Sequence, residues 1–272
     1  MKKVYIKQPR YLGDIIFVMA IAQKYLRSGH KVIFPVEDSY LTGASIEKNF
    51  PGIKFISIDN FREFEFPKQP GIHEYLDKIV INLSDTSNYL EHMGQKYMQL
   101  NLPIAYWRNV KIARDKISEN KLLAILDIHE NEKFNLINEF YSNKKTFHMT
   151  TQIQNNYKNV FLKKIDGFNL FDWMGVIERA ATIHTVHTSI QYIMDIMPNI
   201  TEELHIYPRV EMYEPHSYYN YLFIKNYQYH GYPRNISYLL NFKIRQAKRF
   251  WQKRVANKSF LQGNSNGRGI KN

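Results

Sequence analysis

The first 36 residues constrain the fold more than any other part of the chain. Lys3 to Lys7 (KVYIK) mixes β-branched and aromatic residues and reads as a strand; a loop carrying Pro9, Arg10 and Gly13 follows, and the apolar run from Ile15 to Leu26 reads as a helix. Ser28-Gly29 stops that helix, and His30 to Val36 (HKVIFPV) reads as a second strand. Strand, helix and strand in this order form a βαβ unit with parallel strands and a right-handed crossover. The expectation is an open, mostly parallel sheet, and such sheets bind ligands outside the carboxyl ends of their strands.

The same alternation continues. Lys54 to Ile58 and Lys78 to Leu83 read as further strands, and Tyr89 to Leu100 and Val110 to Leu123 as helices separated by a loop with Pro103 and Trp107. Near Lys121 the pattern restarts. Phe134 to Asn138, Asn159 to Ile165, Thr182 to Val186 and Leu204 to Tyr207 read as strands, with helices at Leu170 to Ala180 and Ser189 to Met197. The fold class expected is therefore α/β, with two Rossmann-like halves facing a cleft. Residues 1–120 and 121–215 make the halves, residues 216–260 a connection and a basic amphipathic helix, and residues 261–272 a disordered polar tail. No sequence repeat relates the halves.

Charge is unevenly placed along the chain. The formal net charge is +12, but no Asp or Glu follows Gly231, and ten of the 37 Lys and Arg residues do. The remaining 27 stand against all 25 acidic residues, so the body carries +2 and the tail is a cationic appendage. From Asn235 to Ala256 the apolar residues Ile236, Leu240, Ile244, Ala247, Trp251 and Val255 recur every three or four positions, while Lys243, Arg249 and Lys253 fall away from them. Three uses of this helix stand open: packing back on the protein, attachment to an anionic membrane through residues 235–258, or contact with nucleic acid. The near-neutral body argues against the last, and no nucleic-acid partner is expected.

With no cysteine there is neither a disulfide framework nor a thiolate metal site. A cytoplasmic location fits, peripheral at the membrane if the basic helix binds there. No run approaches the roughly 20 apolar residues of a membrane span. Fingerprints of dinucleotide dehydrogenases, P-loop NTPases, zincins and serine hydrolases are all absent. His184 and His187 stand three apart on a strand, point to opposite faces and make a poor metal pair; no metal site and no cofactor is expected.

Two strand ends remain as places for chemistry. Gly13-Asp14 lies between the first strand and the first helix, where glycine permits close approach and a carboxylate can take a proton from an attacking hydroxyl; Asp14 as a simple helix cap is the competing reading. His187-Thr188-Ser189 lies at the corresponding junction of the second half, where free helix amides and two hydroxyls suit a diphosphate. Ser189 as a simple N-cap competes there.

At these positions the sequence resembles the GT-B glycosyltransferases of the bacterial heptosyltransferase type. The text VYIKQPRYLGDIIFVMAIAQKYL from Val4 to Leu26 is similar to their opening strand, loop and Gly-Asp helix start, and GVIERAATIHTVHTSIQYIMDIM from Gly175 to Met197 looks like their donor-diphosphate segment. The resemblance implies metal-independent transfer of a sugar from a nucleotide-activated donor to a hydroxyl of a glycan or lipid-linked acceptor. Asp14 becomes the general base, Gly13 and Arg10 line the acceptor side, and His187, Thr188 and Ser189 hold the donor, with Asn138 and Arg209 at neighbouring strand ends. Where that family carries Asp-Thr-Gly, this chain has His187-Thr188-Ser189, so a heptose donor is not implied. A non-catalytic nucleotide- or glycan-binding module with a polyanion-binding tail is the alternative from a different class.

Overall fold

The computed structural model describes residues 1–8, 11–42, 45–59, 67, 69–83, 89–141, 144–145, 153, 155–208 and 222–230. Residues Met1–Gly231 form one compact unit, and residues beyond it lie outside the described set, including the basic helix expected at 235–256. Among the described residues no helix is long and apolar enough to cross a membrane.

The first half holds β1 (Lys3–Lys7), α1 (Leu12–Arg27), β2 (Lys31–Val36), β3 (Ile53–Ser57), β4 (Gly71–Glu74) and β5 (Lys78–Asn82), followed by α2 (Tyr89–Met98) and α3 (Lys116–Ile125). Its sheet runs β3-β2-β1-β5-β4, parallel except for β4, which pairs antiparallel with β5 at the edge. The second half holds β6 (Phe134–Asn138), the short antiparallel pair β7 (Phe140–Tyr141) and β8 (Lys144–Lys145), β9 (Lys158–Phe161), α4 (Met174–Arg179), β10 (Thr182–Val186), α5 (Ser189–Ile196), β11 (Leu204–Tyr207) and β12 (Gln228–Tyr229). Its sheet runs β12-β11-β10-β6-β9, parallel throughout. Two parallel-dominated five-stranded sheets are what the GT-B resemblance implied.

In the first sheet the chain steps outward from β1 to β2 and β3 on one side and returns to β5 on the other, so the reversal falls between β1 and β5. In the second it falls between β6 and β10. A crevice opens at such a reversal because the two connections leave to opposite faces.

Helix α1 explains how the sheets are joined. Every residue from Ile15 to Gln23 is buried, which a helix packed on a sheet along one stripe would not need. Its second face packs on α5 and on a 3₁₀ turn at Ile104–Asn109, and one continuous apolar core runs through both halves. Phe17 is the hub, with ring centroids 5.0 Å from Tyr97, 5.8 Å from Trp107 and 6.0 Å from Tyr192.

Several expected elements change. The helix expected from Val110 begins only at Lys116, because Asp115 caps it, accepting from the Ser118 amide at 3.0 Å, while Ala113 is held outside by a 2.9 Å bond to the Asn49 carbonyl. The loop around Trp107 is a 3₁₀ turn. The strand expected over Asn159 to Ile165 ends at Phe161, so Lys163 and Lys164 lie beyond it. The helix expected from Leu170 opens as a 3₁₀ turn over Leu170–Trp173, capped by Asn169, before α4. β4, β7, β8 and β12 were not foreseen; each is four residues or fewer, too short to show a period.

Candidate functional site

Both strand ends singled out in the sequence lie at the chain reversals, and the structure brings them together. Gly13 and Asp14 are in the first turn of α1, which starts at Leu12 with Tyr11 as N-cap. Asp14 therefore does not cap the helix. Its Oδ1 accepts from Lys96 Nζ at 2.7 Å, and its side chain keeps 20% exposure while that of Lys96 has 1%. The next residue, Tyr97, donates its hydroxyl to the Phe17 carbonyl, and burial pushes its phenol well up. Two successive side chains of α2 thus grip the first turns of α1. Close by, the Tyr40 phenol is also raised, first by burial and then by Glu37, with Asp14 contributing.

On the other side, α5 starts at Ser189 with Thr188 as N-cap. Ser189 is therefore the first helical residue and not the cap. The Thr188 side chain makes no capping bond; its hydroxyl instead accepts from Asn138 Nδ2 at 3.1 Å, and the same amide donates to Thr185 Oγ1 at 2.9 Å. Asn138, buried at the end of β6, so bridges the reversal between β6 and β10. No acidic residue sits in the first turn of α5, so the positive end of its dipole is uncompensated there. Thr188 and Ser189 are both half-exposed.

The two helix starts meet at Gly13. A Cβ on Gly13 would lie 3.2 Å from Tyr192 Cε2 and 3.6 Å from the Ser189 Cα. Absence of a side chain at Gly13 is what lets the carboxylate-bearing turn of α1 approach the start of α5.

His187 is buried, hydrogen-bonded through Nδ1 to Gln191 Oε1, and edge-on to Phe223 at 5.8 Å. It packs beneath the α5 start and does not present its ring to solvent. Arg10 and Arg209 lie outside the described residues.

Two features were missed by sequence reasoning. Lys96 had a signal: it falls in step with Met93, Tyr97 and Leu100, placing a lysine on a helix's apolar stripe. The clamp around α5 had none. Buried Asp195 accepts from the Ile224 amide at 2.9 Å and the Lys225 amide at 3.2 Å, and lies 3.3 Å from Arg108 Nε; Arg108 and Trp107 both donate to the Leu222 carbonyl. These contacts tie residues 222–230 and the 104–109 turn to the back of α5, fixing its direction.

His184 faces away from this site, stacked on His205 at 4.3 Å and bonded to the Tyr207 hydroxyl at 3.1 Å. Burial, helped by His205 and His230, lowers its pKa to about 3. Among the described residues no group of three or more His, Asp or Glu is arranged to hold a metal ion. A surface hollow of about 440 Å³ lies at the C-terminal end of α3, lined by Leu123, Asp127, His129 and Arg179 among others, and no candidate residue borders it.

No family model and no curated protein matches this chain. Among solved structures the chain is similar to one described as the crystal structure of the glycosyl transferase family 9 from Veillonella parvula DSM 2008, at 10% sequence identity and a TM-score of 0.48, over 91% of this chain and 89% of that one.

Proposed function

We propose that this chain is a glycosyltransferase moving a sugar from a nucleotide-activated donor to a hydroxyl of a glycan or lipid-linked acceptor, without a metal. The observation that carries the reading is the meeting of the α1 and α5 starts, where a Cβ on Gly13 would lie 3.6 Å from the Ser189 Cα, so that the turn bearing Asp14 packs against the N-terminus of α5. Residues 1–120 receive the acceptor and residues 121–215 the donor, on either side of a cleft.

Asp14 takes the proton of the acceptor hydroxyl as its oxygen bonds to the anomeric carbon. The bond from that carbon to the diphosphate oxygen breaks, and the nucleoside diphosphate leaves with the electron pair. The amides and dipole of α5, with the Thr188 and Ser189 hydroxyls, face the charge that develops on it. Asn138 fixes the Thr188 hydroxyl, and His187 supports the turn from below. Lys96 anchors Asp14 Oδ1 and so orients the carboxylate.

A thermal-shift screen against a panel of nucleotide sugars tests the donor side, because a ligand that binds the folded state raises the midpoint. The Asp14→Asn variant, assayed with the stabilising donor, tests the base: transfer is lost while the donor-induced shift remains.

One observation favours the second reading, a non-catalytic binding module. A carboxylate tied to a buried lysine is also what a purely structural ion pair looks like. Donor binding with neither transfer nor hydrolysis across many acceptors distinguishes the module from the enzyme.

A further inference from the structure

The end of the first sheet opposite the candidate site carries a surface that the proposed chemistry does not use. β4 and β5 form a hairpin whose tip projects into solvent, with Leu76 99% and Tyr75 44% exposed. At the same end the strand starts set lysines side by side, for Lys3 on β1 is in register with Lys31 on β2 and with Lys78 on β5. The Lys78 ammonium sits 5.1 Å from the Tyr75 ring centroid, and Lys2 reaches the Tyr75 carbonyl at 3.0 Å and Glu74 at 3.4 Å. α1 also ends here, with Lys24 and Arg27 in its last turn. Tyr25, between them, is close enough to Glu74 to feel its charge.

Lys2 and Lys78 touch the hairpin itself, Lys3 and Lys31 lie in register beside it, and Lys24 and Arg27 end α1 at the same end of the sheet, against the carboxylates of Glu74 and Asp77. Lys3 and Lys31, both exposed, are like charges paired across neighbouring strands, and an external polyanion relieves their repulsion. The apolar tip selects which one. A fully exposed leucine beside a tyrosine, with ammonium groups behind them, suits a boundary that is anionic outside and apolar below. A nucleic-acid backbone offers the leucine no such place.

We propose that this end docks on an anionic lipid bilayer, with Leu76 and Tyr75 entering the headgroup layer and Lys3, Lys31 and Lys78 meeting lipid phosphates. β1 rises about 3.3 Å per residue, so the Gly13–Asp14 end stands on the order of 15 Å farther from the lipid and faces away from it. This docking does not depend on the glycosyltransferase reading.

The test uses the full chain and vesicles of phosphatidylglycerol mixed with phosphatidylcholine, or of phosphatidylcholine alone. The parent is expected to sediment with the anionic vesicles only. Leu76→Ser, and the triple variant Lys3→Gln, Lys31→Gln, Lys78→Gln, each weaken that binding at least about tenfold with thermal midpoints unchanged. Leu76→Trp shows a blue-shifted emission on adding anionic vesicles. Since the cationic tail can bind vesicles by itself, the hairpin variants decide the matter. Undiminished sedimentation of either variant, no emission shift, or a parent that ignores anionic vesicles overturns the proposal.

Discussion

Lys96, on α2, holds its ammonium 2.7 Å from Asp14 Oδ1 in the first turn of α1, and it does so almost entirely shielded from water. A buried ammonium is expensive unless an anion is placed against it, so each residue explains the other. α2 thereby decides where the carboxylate points.

Removing one partner should cost more than removing both. Asp14→Asn takes the carboxylate away from a buried ammonium, at an expected cost of about 3 kcal/mol. The double variant Asp14→Asn, Lys96→Met removes the buried ammonium as well and should recover most of that loss. Urea denaturation of the four members of the cycle measures the coupling. On the proposed mechanism both Asp14→Asn proteins lose about 100-fold or more in turnover, because general-base catalysis is worth that much.

Gly13 is expected to resist even a methyl group. In an open helix, Gly→Ala stabilises by roughly 0.5–1 kcal/mol. Here the new Cβ meets the Tyr192 ring at 3.2 Å, and Phe17, Trp107 and Phe223 hem that ring in. Gly13→Ala should destabilise by about 1 kcal/mol and Gly13→Val by about 2–3 kcal/mol, with Tyr192→Leu relieving part of either loss. Denaturation midpoints report the result.

Asn138→Ala unties Thr188 and leaves the buried Thr185 hydroxyl without its donor. A stability loss of about 1–2 kcal/mol is expected. Donor-induced thermal stabilisation should fall along with it, whereas a loss of stability with donor response intact would give Asn138 a purely structural role.

The imidazoles of the second sheet set the mild-acid behaviour. Unfolded, a histidine takes up a proton below about pH 6.5, whereas folded His184 waits until about 3, chiefly because it is buried. His205 and His230 shift in the same direction, also through burial first. The unfolded chain therefore binds more protons as pH falls, and stability is lost from about pH 6.5 downward. Asp115, Glu132 and Glu178 are shifted down, mainly by hydrogen bonds from Ser118, His129 and Arg114, so their contribution is kept until pH falls into the ordinary carboxylate range and is lost from there downward. Between pH 6.5 and 5 the slope belongs to histidine, about 1.4 kcal/mol per unit for His184 alone, or roughly 2–4 °C each in Tm for every kcal/mol. His184→Phe should flatten it in thermal melts across that range.

The starts of β1, β6, β10 and α5 were legible because alternation and three-to-four spacing are local patterns, carried by neighbouring residues, whereas α1 begins at Leu12, three residues before the expected Ile15. Gly13, Asp14, Thr188 and Ser189 were legible as candidates for the same reason, since each follows directly from a strand and opens a helix. The competing readings of Asp14 and Ser189 as caps depended on where each helix starts, a matter of one or two residues that local pattern leaves open.

What the sequence by itself determined is the order of elements and which of their ends could carry chemistry. Only the tertiary structure decided the strand order, the reversals at β1/β5 and β6/β10, the approach of Gly13 to Ser189 and Tyr192, and the pairing of Lys96 with Asp14. Those relationships join residues about 50 to 180 positions apart, and they are fixed by how buried faces fit and how buried charges find partners, neither of which any short window of sequence contains.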